Sequence, residues 1–341
     1  MNDMTPFLTK PKDWETDQEV RWCPGCGDYA VLKAVQRTMP EIGARPENTV
    51  FVSGIGCSSR FPYYMETYGF HTIHGRAPAV ATGVKLANPE LDVWIITGDG
   101  DALSIGGNHT MHLLRRNLDC QVLLFNNEIY GLTKGQYSPT SRVGTRTPST
   151  PLGSVDTPAN PCAFALGSGA RFVARGIDVH KKLTDVLKAA YFHRGAAFVE
   201  IFQNCIVYND EVFAPFTEKK QAAGAQLWVE HGKPLLFDGG RKGLALDAER
   251  LTLKVVDVLD GDASGMVVHD QTNRGLAHML VEMPFGAFPM ALGVLYDDPT
   301  PTFDEAVVVQ NRQAAQGKAA DLRKLLAQGQ TWQVDKQPHM I

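Results

Sequence analysis

Residues 93–130 read VWIITGDGDALSIGGNHTMHLLRRNLDCQVLLFNNEIY, and this stretch decides the fold of the chain. Val93 to Thr97 is a short apolar run rich in β-branched residues, which predicts a buried strand. Gly107 to Arg116 is predicted to be a helix, and Gln121 to Phe125 is predicted to be a second buried strand. A strand, a helix and a strand in so short a span form a βαβ unit, so the two strands should be parallel neighbours in an α/β fold.

Polar residues follow both predicted strands at the point where each strand ends. Gly98-Asp99-Gly100 comes after the first strand, and Asn126-Asn127 comes after the second. Open α/β sheets bind ligands at this carboxyl edge. Mg²⁺ prefers one or two such oxygen ligands beside water and substrate phosphate, and the glycines allow a diphosphate to approach the backbone near a helix start. The residues therefore suggest a Mg²⁺-diphosphate site, and the alternative is a βα turn with a helix-capping aspartate.

A longer sequence pattern includes the polar residues at the ends of both predicted strands. Asn127 follows Asp99 by 28 residues, and the Gly-Asp-Gly…Asn arrangement resembles the thiamine diphosphate signature of thiamine-dependent enzymes. The continuation NNEIYGLTKGQ, followed by SPT at residues 138–140, resembles the β subunit of 2-oxoacid:ferredoxin oxidoreductases, nearest to the 2-oxoglutarate type. The resemblance runs from Arg21 to Asp210. It implies an α/β, thiamine diphosphate-binding fold, with a mostly parallel sheet flanked by helices on both faces and a C-terminal extension.

The same resemblance implies a set of site residues. Mg²⁺ is expected on the side chains of Asp99 and Asn127 and on the backbone carbonyl of Ile129. The residues expected to contact thiamine diphosphate are Ile55, Gly56, Cys57, Ser58, His74, Gly98, Gly100, Asp101, Gly131, Leu132 and Thr133. Thiamine diphosphate and Mg²⁺ are therefore two of the expected cofactors.

The chain has six cysteines, too few and too scattered for a disulfide framework in a chain of this length, which favours metal or redox use. Cys23-Pro-Gly-Cys26 can direct two thiolates at one metal centre. A Cys-x-x-Cys pair can also form a zinc knuckle or a dithiol redox pair. Cys120 and Cys162 are predicted to be buried small hydrophobes or inert thiols.

Two further cysteines stand at predicted strand ends. Cys57 lies in a glycine-rich loop after the apolar run 48–53, and Cys205 follows the apolar run 197–202. Four cysteines in loops can complete the Cys₄ shell of a [4Fe–4S] cluster. The resemblance implies that one such cluster is bound by Cys23, Cys26, Cys57 and Cys205.

Three more side chains are candidates for substrate binding and catalysis. His74 precedes a glycine and a predicted helix, and the resemblance implies a histidine here near the reactive end of the cofactor; the alternative is an ordinary core or surface imidazole. Arg60 can grip a substrate carboxylate with two hydrogen bonds, and the resemblance associates a basic residue at this point with 2-oxoacid binding. Lys134 is a candidate for a coenzyme A phosphate or a substrate carboxylate. Either cation could instead be an ordinary surface residue. His74 is preferred to the other candidate histidines, His71, His109 and His112.

Charge and hydropathy exclude several classes of partner. The 33 basic and 37 acidic residues give a net charge of −4, which argues against nucleic acid or an anionic membrane surface. The N-terminal sequence has no basic region leading into an apolar stretch, and no apolar run approaches the about 18 residues of a membrane span. We therefore expect a soluble cytoplasmic protein.

Three regions are expected along the chain: a surface arm over residues 1–20, the cofactor-binding domain over 21–210, and a C-terminal extension over 211–341. Within the extension, helices are predicted at Glu249 to Leu259 and at Phe303 to Gln328, and no cofactor motif is found. The extension could cover the cluster or contact a partner subunit.

The resemblance implies a coenzyme A-dependent oxidative decarboxylation of a 2-oxoacid, 2-oxoglutarate to succinyl-CoA and CO₂ as the best match, with electrons passing to ferredoxin and the reverse reaction giving carboxylation. Only the diphosphate-binding half of a thiamine enzyme is found. An α subunit should therefore supply the pyrimidine-binding domain, in an (αβ)₂ assembly. The alternatives are a pyruvate-type β subunit, a non-redox thiamine decarboxylase or synthase subunit, and a non-catalytic iron–sulfur or zinc adaptor.

Overall fold

The computed structural model describes residues 9–317 and 321–332 of the chain. Its strands, in chain order, are β1 (Thr49–Ser53), β2 (Tyr68–His71), β3 (Asp92–Gly98), β4 (Cys120–Asn126), β5 (Ile129–Tyr130), β6 (Gln136–Tyr137), β7 (Phe172–Ile177), β8 (Ala196–Phe202), β9 (Gln226–Trp228), β10 (Leu236–Phe237), β11 (Lys242–Asp247), β12 (Thr252–Asp257) and β13 (Met290–Asp297). Eight of them form one sheet in the order β2-β1-β3-β4-β8-β7-β13-β9. The others form a three-stranded sheet, β10-β11-β12, and a two-stranded pair, β5-β6.

The helices cover both faces of the large sheet. Their bounds are α1 (Asp28–Glu41), α2 (Ala77–Ala87), α3 (Asp99–Leu103), α4 (Gly107–Arg116), α5 (Pro161–Gly167), α6 (Leu183–Phe192), α7 (Ala214–Thr217), α8 (Ala222–Ala225), α9 (Arg274–Val281), α10 (Phe303–Ala315) and α11 (Leu322–Leu326). Helices α2, α4, α5 and α9 bury apolar side chains against one face, and α1 and α6 do so against the other. The predicted α/β class with a mostly parallel sheet is therefore confirmed. None of the helices in the described ranges is long and apolar enough to cross a membrane.

The predicted βαβ unit is present. Strands β3 and β4 are parallel neighbours, with Gly98 opposite Phe125. Successive side chains of β3 enter opposite cores, since Trp94 belongs to one apolar cluster and Ile95 to the other. Burial on both faces explains why these strands read as continuous apolar runs instead of alternating patterns. The predicted helix is α4, and a short helix, α3, precedes it, beginning at Asp99 where β3 ends.

The parallel pairing positions the functional residues. Strands β1, β3, β4 and β8 are adjacent and run in the same direction. Their carboxyl ends, at Ser53, Gly98, Asn126 and Phe202, therefore meet along one edge of the sheet. Each strand is followed there by one of the motifs found in the sequence.

The region after residue 210 contributes to the same sheet. Strand β13 pairs antiparallel with β7, and β9 pairs parallel with β13. The predicted boundary near residue 210 therefore does not divide the sheet, and the last two strands of the large sheet come from the predicted extension.

The predicted helix at Glu249 to Leu259 is wrong, because the chain forms strand β12 there, antiparallel to β11. Leu253 is buried between exposed neighbours, which is the two-residue period of a strand, and the β-branched Val255 and Val256 favour the extended backbone. The second predicted helix is divided: α10 ends at Ala315, Gly317 has a φ of +72°, and α11 follows. Part of the predicted segment, residues 318–320, lies outside the described residues.

The N-terminal arm is not simply a surface segment. Residues 1–8 lie outside the described residues, but Trp14 is fully buried in the core beside α1. Its indole N–H donates to the Thr9 hydroxyl at 3.1 Å, and Glu15 pairs with Met65 in a β-bridge. The second half of the predicted arm therefore packs against the domain.

Candidate active site

Asp99 is a deeply buried acidic residue at the carboxyl edge of the sheet, with 2% of its surface exposed. Its Oδ2 accepts hydrogen bonds of 2.5 Å from the hydroxyl of Ser138 and from that of Thr140. Burial raises the pKa of Asp99 to about 6, although these hydroxyls oppose the shift. A buried carboxylate with hydroxyls on one oxygen has its other oxygen left to bind a cation.

Asn127 is held in a turn that follows β4. Its side-chain oxygen accepts the backbone N–H of Ile129 at 3.2 Å, and its amide nitrogen donates to Gln203 at 2.9 Å. Since Gln203 follows β8, the end of a second strand fixes the orientation of this amide. The three predicted Mg²⁺ ligands, Asp99, Asn127 and Ile129, line one cavity of about 130 Å³.

The same cavity gathers the residues predicted to contact thiamine diphosphate. All eleven of them line it, although they come from four separate loops. Two lining residues, Phe125 and Tyr130, were not predicted. The Tyr130 hydroxyl donates to the carbonyl of Gly100 at 3.0 Å, and a Cβ on Gly100 would lie 2.2 Å from the Tyr130 ring. Glycine is therefore required at position 100, where the backbone runs against the ring.

Asp101 supports the wall of this cavity. Its Oδ1 accepts the backbone N–H groups of Ile55 at 3.0 Å and Gly75 at 2.7 Å, and it lies 2.5 Å from Nδ1 of His74. Its Oδ2 accepts the Thr97 hydroxyl at 2.7 Å. Both oxygens of the Asp101 carboxylate thus accept hydrogen bonds from within the chain. It holds the loop after β1 and the His74 ring against the cavity.

The four predicted cluster cysteines line a second cavity, of about 220 Å³. A Cβ on Gly131 would lie 3.5 Å from the sulfur of Cys205 and 3.6 Å from that of Cys57. Burial, together with the charges of Asp28 and of the neighbouring thiols, raises the pKa of the Cys57 thiol to about 12. Burial raises the pKa of Cys26 as well, again with contributions from Asp28, Cys205 and Cys57.

The remaining thiols lie elsewhere. Cys120 is buried at the opposite end of β4, and Cys162 is buried in α5. Among the described residues, no group of three histidine, cysteine or acidic side chains converges closely enough to bind a single metal ion.

The predicted substrate residues border these cavities. Arg60 lines the cysteine cavity and a third cavity of about 350 Å³, which Arg21, Tyr63 and His71 also line. Lys134 lines the cysteine cavity. Within the described residues, neither cation forms an ion pair. His109 and His112 lie on α4 and line none of the three cavities.

Comparison with known proteins agrees with this arrangement. Residues 54–201 match the family described as thiamine pyrophosphate enzyme, C-terminal TPP binding domain. The chain is 50% identical to the 2-oxoglutarate oxidoreductase subunit KorB of Mycobacterium tuberculosis, over 97% of this chain and 94% of that protein. The chain belongs to the β subunits of 2-oxoacid:ferredoxin oxidoreductases.

Two other relatives extend this assignment. The β subunit of 2-oxoacid:ferredoxin oxidoreductase 1 from Aeropyrum pernix is 50% identical over 57% of this chain and 62% of its own length. A solved structure of 2-oxoglutarate:ferredoxin oxidoreductase from Magnetococcus marinus, with 2-oxoglutarate, coenzyme A and succinyl-CoA bound, is 33% identical. It has a TM-score of 0.76 and covers 96% of this chain and 98% of its own. The predicted family, the oxidoreductase class and the thiamine diphosphate-binding domain are confirmed, and the roles of individual residues stay predictions.

Several residues of this site were missed from the sequence. Ser138 and Thr140 were noted as part of a motif, but no contact with Asp99 was predicted for them. Gln203 stands two residues before Cys205 and was given no role. Glu200 carried a clear signal, because it is the only charged residue in the apolar strand Ala196–Phe202 and such a charge needs a buried partner.

Proposed function

We propose that this chain is the catalytic β subunit of a 2-oxoglutarate:ferredoxin oxidoreductase. The reaction converts 2-oxoglutarate and coenzyme A to succinyl-CoA and CO₂ and delivers two electrons, singly, to ferredoxin; it reverses as reductive carboxylation. One observation carries the proposal: the cavity beside Asp99 and the cysteine cavity adjoin. They share the lining residues Cys57, Asn127, Gly131 and Leu132. A decarboxylation site and an electron-transfer centre in contact are what this reaction needs.

Mg²⁺ and the diphosphate fit the first cavity. We assign the side chains of Asp99 and Asn127 and the carbonyl of Ile129 to Mg²⁺, because carboxylate, amide and carbonyl oxygens are the ligands that this cation takes. The backbone around Gly98 and Gly100 can approach a diphosphate closely. When bound, thiamine diphosphate supplies carbanion-stabilising chemistry for the loss of CO₂.

One [4Fe–4S] cluster fits the second cavity. The thiols of Cys23, Cys26, Cys57 and Cys205 line it, and burial raises the pKa of the Cys26 and Cys57 thiols. In a cluster each thiolate binds a different iron, so the four sulfurs stand farther apart than the ligands of one zinc ion. Among the described residues no three of these thiols converge on a single-ion site, which favours a cluster over zinc. The cluster supplies one-electron transfer to ferredoxin.

We assign the substrate end of the site to His74, Arg60 and Lys134. Asp101 holds Nδ1 of His74, so the other ring nitrogen is the one that can exchange a proton in the cavity. Arg60 and Lys134 are cations without an ion-pair partner in the described residues, and they suit the carboxylates of 2-oxoglutarate or the phosphates of coenzyme A. The choice of 2-oxoglutarate is supported by the names of the mycobacterial relative and of the Magnetococcus marinus structure.

An α subunit completes the site in this proposal. The chain carries the diphosphate-binding domain, and we assign the pyrimidine-binding domain to the α subunit, in an (αβ)₂ assembly. Ferredoxin is the proposed electron acceptor.

Cofactor content of the complex tests these assignments. The chain is co-expressed with the α subunit, purified without oxygen, and analysed for iron, sulfide and thiamine. We expect each β chain to contribute four irons and one thiamine diphosphate to the content of the complex. We also expect visible absorption that bleaches when 2-oxoglutarate and coenzyme A are added. The matched control is Cys120→Ser, which changes a buried thiol outside both cavities and should keep all the iron.

Each alternative predicts a different result. Thiamine without iron would indicate a non-redox decarboxylase or synthase subunit, and metal without thiamine would indicate an adaptor. Bleaching by pyruvate but not by 2-oxoglutarate would indicate the pyruvate type.

A further inference from the structure

A buried row of polar side chains leads away from Asp99 through the centre of the sheet. The Thr140 hydroxyl lies 2.5 Å from Asp99 Oδ2 and 3.1 Å from Asn126 Oδ1. The Asn126 amide nitrogen donates to Glu200 Oε1 at 2.8 Å. Arg175 Nε donates to Glu200 Oε2 at 2.7 Å. The row thus joins the ends of β3 and β4 to the middle of β8 and β7.

Burial makes this row costly as a purely structural feature. Glu200 is 1% exposed and Arg175 is 6% exposed. The desolvation of a buried ion pair often offsets the attraction between its charges, so such a pair is weak support for stability by itself. Replacement of such a pair by apolar residues of similar volume is often neutral or stabilising. The geometry around Asn126 provides another reason for a charged residue at position 200.

Glu200 fixes which way the Asn126 amide points. An ionised carboxylate only accepts hydrogen bonds, so Asn126 must turn its NH₂ group toward Glu200. Its oxygen then faces the other way, where it accepts the backbone N–H of Glu128 at 3.2 Å and lies against the Thr140 hydroxyl. A reversed Asn126 amide would place its NH₂ group against the backbone N–H of Glu128, so that two donors would face each other. The carboxylate therefore selects one of the two amide orientations.

Arg175 and Cys162 orient Glu200 in turn. Oε2 accepts Arg175 Nε, and the Cys162 sulfur lies 3.2 Å from the same oxygen. The Arg175 terminal nitrogen also donates to Asn160 at 3.0 Å. With Oε2 occupied, Oε1 is the oxygen that meets Asn126.

The effect on Asp99 follows from the position of Thr140. The Thr140 hydroxyl has one proton, which Asp99 Oδ2 and Asn126 Oδ1 share from 2.5 and 3.1 Å, so Asn126 limits where this hydroxyl lies beside Asp99. Ser138 donates to the same oxygen of Asp99. Both hydroxyls therefore lie on the same oxygen of Asp99, and Oδ1, which accepts no side-chain hydrogen bond in the described residues, is the oxygen that we assign to the cation. Residues that hold a ligand in this way typically change metal affinity by about 10–100-fold when they are replaced.

We propose that Glu200 is a positioning residue for the Mg²⁺ site: through Asn126 and Thr140 it orients the Asp99 carboxylate for metal binding. This inference rests on the proposed function, because it takes Asp99 to be a Mg²⁺ ligand. Glu200 itself contacts neither metal nor substrate in this proposal.

The first test is Glu200→Gln in the complex with the α subunit. Glutamine can donate to Asn126, so both amide orientations become possible and Thr140 loses its fixed partner. After removal of cofactors with a chelator, thiamine diphosphate binding is followed by calorimetry as Mg²⁺ is added. The Mg²⁺ concentration at half-saturation should rise by about 10–100-fold. The KM for coenzyme A should stay unchanged.

A matched control separates positioning from general destabilisation. Lys85 is buried and paired with Asp119 at 3.2 Å, beside the starts of β3 and β4 at the opposite edge of the sheet. Lys85→Met also breaks a buried pair, so it should lower the melting temperature while the Mg²⁺ requirement stays at the wild-type value.

A second variant keeps the test decisive if Glu200→Gln fails to fold. In Glu200→Met/Arg175→Met both charges are removed together, which leaves no unpaired charge in the core. It should again raise the Mg²⁺ requirement about 10–100-fold. Thr140→Val should do the same without touching the ion pair, and Thr140→Ser should restore binding.

The outcomes are distinguishable. Normal Mg²⁺ dependence in the folded Glu200 variants, beside a Mg²⁺-dependent wild type, would overturn the positioning role alone. A wild-type complex that binds thiamine diphosphate without any divalent cation would instead overturn the proposed function of Asp99.

Discussion

Replacing Asp99 by asparagine tests the metal assignment most directly. Asparagine keeps the shape of the side chain and an oxygen that can still accept the hydroxyls of Ser138 and Thr140. It removes the only carboxylate assigned to Mg²⁺. Since loss of a residue that merely orients a ligand costs about 10–100-fold in metal affinity, loss of the charged ligand should exceed about 100-fold. That factor corresponds to about 2.7 kcal/mol of binding free energy.

The same variant should stabilise the metal-free protein. Burial raises the pKa of Asp99 from 3.8 to about 6, so the fold disfavours the ionised carboxylate. The folded state therefore binds a proton more tightly than the unfolded chain, and stability is lost as the pH rises from about 4 to about 6. A shift of about two pH units corresponds to up to about 3 kcal/mol above that range. At pH 8 without metal, Asp99→Asn should thus unfold at a higher temperature than the wild type, and at pH 4 the difference should vanish.

The assay uses the complex with the α subunit, stripped of cofactors by a chelator. Calorimetry gives thiamine diphosphate binding at a series of Mg²⁺ concentrations, and thermal unfolding with and without chelator gives stability. Asp119→Asn, at the opposite edge of the sheet, is the control and should leave cofactor binding unchanged. The assignment is refuted if Asp99→Asn binds thiamine diphosphate with the Mg²⁺ dependence of the wild type. If Asp99→Asn unfolds at a lower temperature than the wild type at pH 8 without metal, the inference that the fold disfavours the ionised Asp99 carboxylate is wrong.

Three further predictions concern other parts of the molecule. Cys205→Ala should lose or convert the cluster while thiamine content is unchanged, as measured by iron analysis and by EPR of the reduced protein; an unaltered EPR spectrum would show that Cys205 is not a ligand. His74→Gln should retain thiamine diphosphate but lower kcat for ferredoxin reduction by about 10²–10⁴-fold, the usual contribution of an acid–base group, and a wild-type kcat would exclude that role. Burial lowers the pKa of His269, so below about pH 6.5 the unfolded chain binds a proton that the fold resists, and stability should fall as the pH drops from 7.5 to 5.5. His269→Gln should show a smaller decrease in melting temperature than the wild type over that interval. An equal decrease would show that His269 does not cause this pH dependence.

The motif-bearing half of the fold could be read from the sequence because its strands are buried on both faces. Such strands give unbroken apolar runs, as in β3 and β4, and the residues after them must then meet at one edge of a parallel sheet. The individual lining residues were predicted from the family resemblance, and the loop at Gly56 and the turn before Gly131 follow β1 and β4 of this sheet. No knowledge of side-chain contacts was needed for that step.

Contacts between distant strands could not be read in the same way. Asn126 and Glu200 meet because β4 and β8 are neighbours, although 69 residues separate those strands in the chain, and an apolar run does not say which strand it pairs with. Strand β12 was missed because its apolar residues are few and fit either period over a short span. Trp14 was missed because a polar, proline-containing segment gives no sign that one aromatic side chain anchors it in the core.

The size of the cavity beside Asp99 argues that this chain forms only part of the catalytic site. Its volume of about 130 Å³ is less than half of the about 300 Å³ at which small-molecule sites begin. The walls that are present carry the glycine backbone and oxygen ligands suited to a diphosphate and its cation, while two apolar side chains that line the cavity, Ile55 and Leu132, are 36% and 47% exposed. Clustered apolar surface beside an incomplete pocket marks a surface that another protein covers. In our proposal the α subunit supplies both the missing wall and the cover for these side chains, so we expect cofactor binding to be coupled to assembly of the complex.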